Sequence, residues 1–208
     1  MISKKNIINI PPFVENDLLI KNLGLFGKIF LVIKGKFLSF IINRLEGGSL
    51  CSFINLFYGK KGKVYFEKPN YYKLIDNTKF YYPNKRFLRI VNDENLLNKI
   101  IIESYCLDSI DFSSGDVILD CGANVGELNL TLKKYNQKLE YHAFEPDKEA
   151  FECLKLNYPN SKSNFHNIGL SDKNSERTLY LDSSGGNSSF VNFGSNEEIT
   201  VESKTLDS

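Results

Sequence analysis

Several residue types are scarce in this chain of 208 residues, and each scarcity excludes a class of protein. The chain has no tryptophan, one methionine, two histidines and four cysteines. No two cysteines have the C-x-x-C spacing, so neither a structural zinc site nor any other metal site is predicted. We expect all four cysteines to be buried, reduced thiols in a cytoplasmic, reducing compartment. The basic start Met1–Asn6 precedes a segment interrupted by prolines and acids, which argues against a cleavable signal peptide.

Long hydrophobic runs are also missing. The most apolar segment is Leu18–Leu45, and its longest uninterrupted run is Ile29–Ile33. A membrane-spanning helix needs about 20 mostly apolar residues, so this segment is not expected to span. Two interpretations remain open. The segment is either a basic amphipathic helix that makes peripheral contact with an anionic membrane, or a helical pair packed on the main domain with its lysines in solvent.

Acidic residues are scarce in the first half of the chain and arginine is scarce throughout. Residues 1–92 carry a net charge of +11 and residues 93–208 a net charge of −10, although the whole chain is at +1. Such asymmetry predicts two functions or two partners. Only four basic residues are arginine, the side chain best suited to bidentate contacts with phosphates and bases. A nucleic-acid partner is therefore not expected, despite eleven tyrosines.

The first part of the chain predicts a helical and β-rich extension. Residues 1–17 are expected to form an irregular leader. Residues 18–58 are predicted to be helical, with breaks near Gly24, Gly27 and Gly35 and a stop at Gly47–Gly48. Short aromatic runs within residues 60–91 predict a small β meander or hairpin. We therefore assign residues 1–91 to an N-terminal extension and residues 92–208 to a second domain.

The second domain alternates strand and helix signals. A helix is predicted from a cap at Asn92 or Asp93 to about Cys106, with one packed face (Leu96, Leu97, Ile100, Ile101 and Ser104). The following order is strand 116–121, helix 126–135, strand 139–144, helix 147–157 and strand 164–168, which is typical of a parallel sheet. Two shorter strands, 177–181 and 199–203, flank a Ser/Gly-rich loop. The apolar run 117–119 suits a strand that is covered on both faces in the middle of a parallel sheet. Because only three principal strands are predicted from this point on, we expect one side of the strand to lack its neighbour and to leave an exposed apolar edge.

The chemically informative segment follows this apolar run. The strand ends in Asp120, and a glycine-containing turn then opens a helix, which is where α/β sheets bind ligands. Gly122 and Gly126 would let a ligand approach the backbone. Glu145 ends the next strand at the spacing expected of an acceptor for ribose hydroxyls. Such an arrangement is typical of a nucleoside-binding site.

The residues of the same turn indicate which nucleoside would bind. Asn124 occupies the middle position of the G-x-G-x-x-G pattern, and the carboxylates of Asp120 and Glu127 would repel a pyrophosphate. A nucleoside with an amino group, a sulfonium and no phosphate fits better, which is the chemistry of S-adenosylmethionine. A nucleotide-dependent oxidoreductase and an ordinary βαβ turn with solvated acids remain alternatives, and so does a non-catalytic module for membrane surfaces or partner proteins.

Several sequence blocks resemble the FkbM-type methyltransferases in the same order. They are Val117–Glu127, Phe144–Asp147, Ile168–Asp172, Gly186–Phe190 and Val201–Asp207. Tyr82–Asn84 and Asn92–Leu97 also resemble the segment that precedes this domain, so the resemblance covers roughly residues 75–208. In the family a further buried strand with an Asp-Val-Glu-Gly motif follows. We therefore expect the second domain to lack its C-terminal half.

The resemblance implies an α/β fold of the Rossmann-like class I methyltransferase type, with an incomplete parallel sheet. It also implies transfer of a methyl group from S-adenosylmethionine, usually to an oxygen of a sugar, glycan or secondary metabolite. No catalytic base is assigned. His142 is expected to pack in the sheet, and His166 lies nearer the ligand side. The cofactor-binding residues expected from the residue pattern and the resemblance together are Asp120, Gly122, Asn124, Gly126, Glu127, Glu145, Pro146 and Asn167.

Overall fold

A computed structural model describes residues 25–58, 63–75, 77–88, 94–135, 138–160, 164–182 and 188–207. These residues are a mixture of helices and small sheets, which confirms the α/β class. They divide into two compact units, one drawn from residues 1–73 and 87–93 and the other from residues 74–86 and 94–208. The predicted leader, the break near Gly24, the helix cap at Asn92 or Asp93 and residues 183–187 of the Ser/Gly-rich loop lie outside the described residues.

The first unit contains two helices, α1 (Leu25–Ile42) and α2 (Gly47–Tyr58). Helix α1 runs through Gly27 and Gly35, so the breaks predicted there are wrong. Gly35 lies on the buried side of the helix, and an isolated glycine is tolerated in a helix at a cost of about 1 kcal/mol. The pair Gly47–Gly48 does not end a helix but begins α2, with Gly47 in the left-handed conformation at φ 56°.

The small β meander or hairpin predicted within residues 60–91 is confirmed. Strands β1 (Val64–Glu67) and β2 (Asn70–Ile75) pair in antiparallel register. Helix α2 is fastened to β1 because the side-chain amide of Asn55 donates to the carbonyl of Val64 at 2.8 Å and accepts from its N–H at 2.9 Å. The N–H of Gly47 donates to the hydroxyl of Tyr71, 2.8 Å away. Helix α2 is thus packed on the aromatic hairpin.

The second unit carries the predicted alternation. Its elements are β3 (Thr78–Tyr82), α3 (Glu94–Tyr105), β4 (Val117–Cys121), α4 (Glu127–Leu132), β5 (Glu140–Phe144), α5 (Lys148–Asn157), β6 (Phe165–His166), β7 (Gly169–Leu170), β8 (Ser175–Tyr180) and β9 (Glu198–Lys204). Short 3₁₀ turns lie at Lys85–Leu88, Leu107–Ser109 and Lys133–Tyr135. Strands β4, β5 and β6 form a parallel sheet in that order. A second sheet has the order β7-β9-β8, with β7 parallel and β8 antiparallel to β9.

Local sequence accounts for the ends of these elements. The carboxylate of Asp147 caps α5 by accepting from the N–H of Glu149 at 2.9 Å. Helix α3 ends at the predicted place, where Cys106 adopts a left-handed conformation at φ 53°. The packed face predicted for α3 is partly wrong, because Leu97 and Ile101 are buried whereas Ile100 and Ser104 are exposed.

Strand β4 lacks a neighbour on one side among the residues that the structure describes, as we expected. Val117 is 55% exposed and Leu119 43% exposed, whereas Asp120 of the same strand is buried. Within the described residues β4 is the end strand of its sheet and β5 is its neighbour. Because side chains alternate along a strand, residues 117, 119 and 121 share one face, and that face is open. In the part of the chain described, the apolar run is therefore exposed, as expected for a strand without its neighbour.

The cysteines also depart from expectation. All four are free thiols, but Cys106 and Cys121 are exposed, and only Cys51 and Cys153 are buried. Burial raises the pKa of Cys51 to about 11 and that of Cys153 to about 12, so these two thiols are inert.

No helix in the described part of the chain is both long and apolar enough to cross a membrane.

Candidate functional site

The turn between β4 and α4 is a tight loop fastened to the end of β5. The N–H groups of Gly122 and Ala123 both donate to the carbonyl of Phe144, at 2.8 and 3.1 Å. The N–H of Gly126 donates to the carbonyl of Ala123 at 2.8 Å and closes the turn. Since these bonds join the carboxyl ends of two parallel strands, the loop lies where ligands of α/β sheets bind.

The two glycines of this loop have different roles. Both have a positive φ, 87° at Gly122 and 85° at Gly126. A Cβ built on Gly122 meets no atom within 4 Å, whereas one on Gly126 would lie 2.5 Å from the ring of Tyr158 and 2.7 Å from Leu154. Gly122 therefore borders open space that a ligand could enter. Gly126 lacks a side chain because α5 and the residue after it pack there.

Asn124 lies between these glycines and carries an unsatisfied polar atom. Its backbone is left-handed at φ 50°. Its side-chain Oδ1 is buried and has no hydrogen-bond donor within reach. Leaving a buried acceptor unpaired costs about 1–3 kcal/mol, so such an atom in a tight loop calls for a donor that the protein does not supply.

Glu145 is the buried carboxylate that joins the two loops of the site. Its Oε2 accepts from the N–H of Asn124 at 2.7 Å, and its Oε1 accepts from the N–H of Asp147 at 2.8 Å. Burial raises its pKa to about 7, although both backbone donors favour the ionised form. Each oxygen of a carboxylate can accept a second hydrogen bond, so Glu145 keeps capacity for ligand hydroxyls.

Asn167 holds the segment that carries Glu145. Its side-chain amide donates to the carbonyl of Glu145 at 2.8 Å and to that of Pro146 at 3.2 Å. The N–H of Glu145 in turn donates to the carbonyl of His166 at 3.0 Å. The structure thus brings together Asn124, Glu145, Pro146 and Asn167 from three separate sequence blocks.

Asp120 is the second buried carboxylate near the loop. The hydroxyl of Tyr141, on the neighbouring strand, donates to its Oδ2. Burial raises the pKa of Asp120, and the bond from Tyr141 opposes that rise. Burial and the adjacent carboxylate raise the pKa of Tyr141, which keeps the phenol protonated as a donor. Sequence reasoning missed Tyr141, because nothing in the linear pattern marks it as the partner of Asp120.

Glu127 is tied to a residue that the sequence did not single out. The Nη2 and Nε of Arg86 lie 2.8 and 3.3 Å from its Oε2, and both side chains are mostly buried. This pair neutralises the carboxylate at the start of α4, so the repulsion of a phosphate that we predicted from Glu127 is reduced. The two residues are 41 positions apart, which left no sequence signal for the contact.

The two histidines lie side by side on the parallel sheet. Their rings are nearly parallel, with an interplanar angle of 3° and centroids 6.4 Å apart, and the ring of Phe144 stacks on His166 with centroids 4.9 Å apart. The Nε2 of His142 is 2.9 Å from Oε1 of Glu140. Burial and the nearby His142 lower the pKa of His166, so it is neutral at pH 7 and able to accept a proton.

One family model matches the part of the chain that contains this site. Residues 120–208 match the family model described as the Methyltransferase FkbM domain. The match begins at Asp120 and includes the loop, Glu145 and Asn167, and it confirms the resemblance to FkbM-type methyltransferases. At the family level it indicates a methyltransferase. Neither the curated proteins nor the solved structures include a match to this chain.

Proposed function

From the FkbM methyltransferase match over residues 120–208, we propose that this chain binds S-adenosylmethionine and transfers its methyl group. In this proposal residues 92–208 form a Rossmann-like domain of the class I methyltransferase type. The loop between β4 and α4 holds the cofactor. The acceptor is an oxygen of a sugar, glycan or secondary metabolite, as the family resemblance implies.

The observation that carries the proposal is the unpaired Oδ1 of Asn124. It lies in a glycine turn at the end of a parallel strand, two residues after Gly122, where a built Cβ meets open space. An acceptor in this position fits a ligand that brings its own N–H or O–H donors, and S-adenosylmethionine has an amino group and two ribose hydroxyls. The residues present therefore fit the cofactor that the family uses.

The buried acids have complementary roles in this proposal. Glu145 would accept from the ribose hydroxyls through the oxygen lone pairs that its backbone donors leave unused. Asp120 would face the ammonium group at the amino-acid end of the cofactor. Pro146 and Asn167 would border the nucleoside, while Gly126 and Glu127 act through packing against α5 and through Arg86.

The chemistry that the bound cofactor supplies is an activated methyl group on a sulfonium. The chain contributes by holding the cofactor in one orientation. Such positioning supplies much of the rate acceleration in a displacement reaction. A general base that takes the proton of the acceptor is not assigned. His166 is neutral and half-buried near the end of β6, which keeps it a candidate.

Isothermal titration with S-adenosylmethionine, S-adenosylhomocysteine and NAD tests this proposal. We expect micromolar binding of the first two and none of NAD. Asn124→Gly keeps the left-handed backbone and removes Oδ1, so it should weaken binding at least tenfold, or about 1.4 kcal/mol. Asn77→Gly is the matched control, because Asn77 is also left-handed, at φ 61°, and lies in the turn before β3. Binding of NAD alone, or equal affinity in the two variants, would contradict the proposal.

A further inference from the structure

Helix α1 carries a continuous apolar stripe on its exposed side. The residues are spaced alternately four and three apart, and we call them the phenylalanine stripe: Phe26, Phe30, Ile33, Phe37 and Phe40. Their side chains are 87%, 65%, 62%, 62% and 55% exposed. At 3.6 residues per turn, all five fall within an arc of roughly 80°. An exposed stripe of this size on one helix marks an interaction surface.

The opposite side of α1 is already used for packing. Gly35, Leu38 and Ile42 are buried, and they lie across the helix from the stripe. A surface helix of a globular protein has an apolar face toward the core and a polar face toward water. Helix α1 is apolar on both faces, so its outer face lacks the solvated residues that such a position normally has.

Positive charge borders the stripe. Lys34 and Lys36 are exposed, and helical geometry puts them on either side of it. Beyond the helix end, the guanidinium of Arg44 lies 3.6 Å from the centroid of the Phe40 ring. The segment Leu18–Leu45 contains no acidic residue. An apolar surface between basic side chains is complementary to a lipid bilayer with anionic headgroups.

We propose that helix α1 binds an anionic membrane surface. The helix lies in the plane of the interface, with the phenylalanine stripe inserted between acyl chains and the lysines reaching the headgroups. At 18 residues the helix is about 27 Å long. The other apolar occupant would be a second copy of the chain. A symmetric pair of stripes would oppose Lys34 and Lys36 to their own counterparts, which disfavours that arrangement.

Vesicle flotation with the full chain tests the inference. We expect co-flotation with phosphatidylcholine vesicles that contain about 30% phosphatidylserine, at least tenfold weaker binding to pure phosphatidylcholine, and release at about 0.5 M salt. Lys34→Gln with Lys36→Gln should reduce binding by more than tenfold, since each basic residue contributes about fivefold near an anionic surface. Lys99→Gln with Lys173→Gln removes two exposed lysines elsewhere and should leave binding unchanged.

A second pair of variants tests the apolar part. Phe30→Asn with Phe37→Asn should abolish flotation, whereas Val191→Asn with Phe193→Asn, which removes two exposed apolar side chains from the other unit, should not. Thermal unfolding of each variant separates loss of binding from loss of folding. Absence of flotation by the folded wild-type chain would overturn the inference. So would a wild-type dimer in sedimentation that Phe30→Asn with Phe37→Asn converts to a monomer.

Discussion

Glu145 joins two loops of the second unit and has a perturbed pKa. Its carboxylate joins the loop after β4 to the loop after β5 through two backbone donors. The side chain is only 5% exposed, and this burial raises its pKa to about 7. A buried acid with a raised pKa in a loop is a marker of a functional site.

The raised pKa of Glu145 predicts a pH dependence of stability. Its ordinary pKa is 4.5 and its folded value about 7, so between these values the folded chain binds more protons than the unfolded chain. The free energy of unfolding should therefore fall as the pH rises through this window. A rise of this size corresponds to at most about 3 kcal/mol.

Urea unfolding from pH 4.5 to pH 7.5 measures this effect. Glu145→Gln does not titrate and should lose this part of the pH slope. Glu103→Gln, at an exposed position, is the control and should keep the wild-type slope. Identical slopes in wild type and Glu145→Gln would show that Glu145 titrates normally.

Replacing each of the two loop glycines with alanine should lower the stability of the chain by a different amount. Both Gly122→Ala and Gly126→Ala place a side chain at positive φ, at a cost of about 1–2 kcal/mol. Gly126→Ala adds a clash with Tyr158 and Leu154, which costs roughly 1–3 kcal/mol more. We expect Gly126→Ala to have the lower unfolding midpoint in urea. Equal midpoints would mean that α5 moves away from the loop without cost.

At the scale of elements, the pair of Arg86 and Glu127 connects the segment after β3 to the first turn of α4. Both side chains are mostly buried, at 15% and 16% exposed. The hydroxyl of Tyr158 donates to the carbonyl of Gly126 at 2.6 Å, and the side-chain amide of Asn157 donates to that of Val125 at 2.9 Å. These contacts fix the start of α4 from two directions.

A double-mutant cycle with Arg86→Met and Glu127→Gln measures this connection. We expect a coupling energy of about 1–2 kcal/mol, since a charge pair shielded from solvent is weakly screened. The exposed pair of Lys99 and Glu103, 3.8 Å apart, is the matched control. Its coupling should be about 0.3–0.5 kcal/mol. If the coupling energy of Arg86 and Glu127 is no larger than that of Lys99 and Glu103, the shielded pair does not connect the two elements as we infer.

Sequence patterns predicted the elements whose signals are local. The strand ending at Asp120, the glycine turn and the acid at the end of β5 are contiguous motifs, and the structure has them in the predicted order. Features that depend on tertiary packing were not predictable. Helix α1 continues through Gly35, which lies on its buried side, and Arg86 pairs with Glu127 across 41 residues.

At the scale of the whole molecule, the opposite charges of the two halves now have a structural counterpart. The basic first half contains α1 with its exposed stripe and bordering lysines. The acidic second half contains Asp120 and Glu145 beside the glycine loop. We propose that the first half supplies membrane attachment and the second half supplies methyl transfer. The net charge of +1 is then the sum of two oppositely charged functional parts.

Photo-crosslinking of radiolabelled S-adenosylmethionine to the whole chain, followed by tryptic mapping, tests whether the cofactor binds at the glycine loop. We expect saturable labelling of the peptides Ile100–Lys133 and Leu139–Lys148, which contain the glycine loop and Glu145. Excess S-adenosylhomocysteine should remove the label and NAD should not. Label confined to residues 25–73, or the absence of saturable label, would contradict binding of S-adenosylmethionine at the glycine loop.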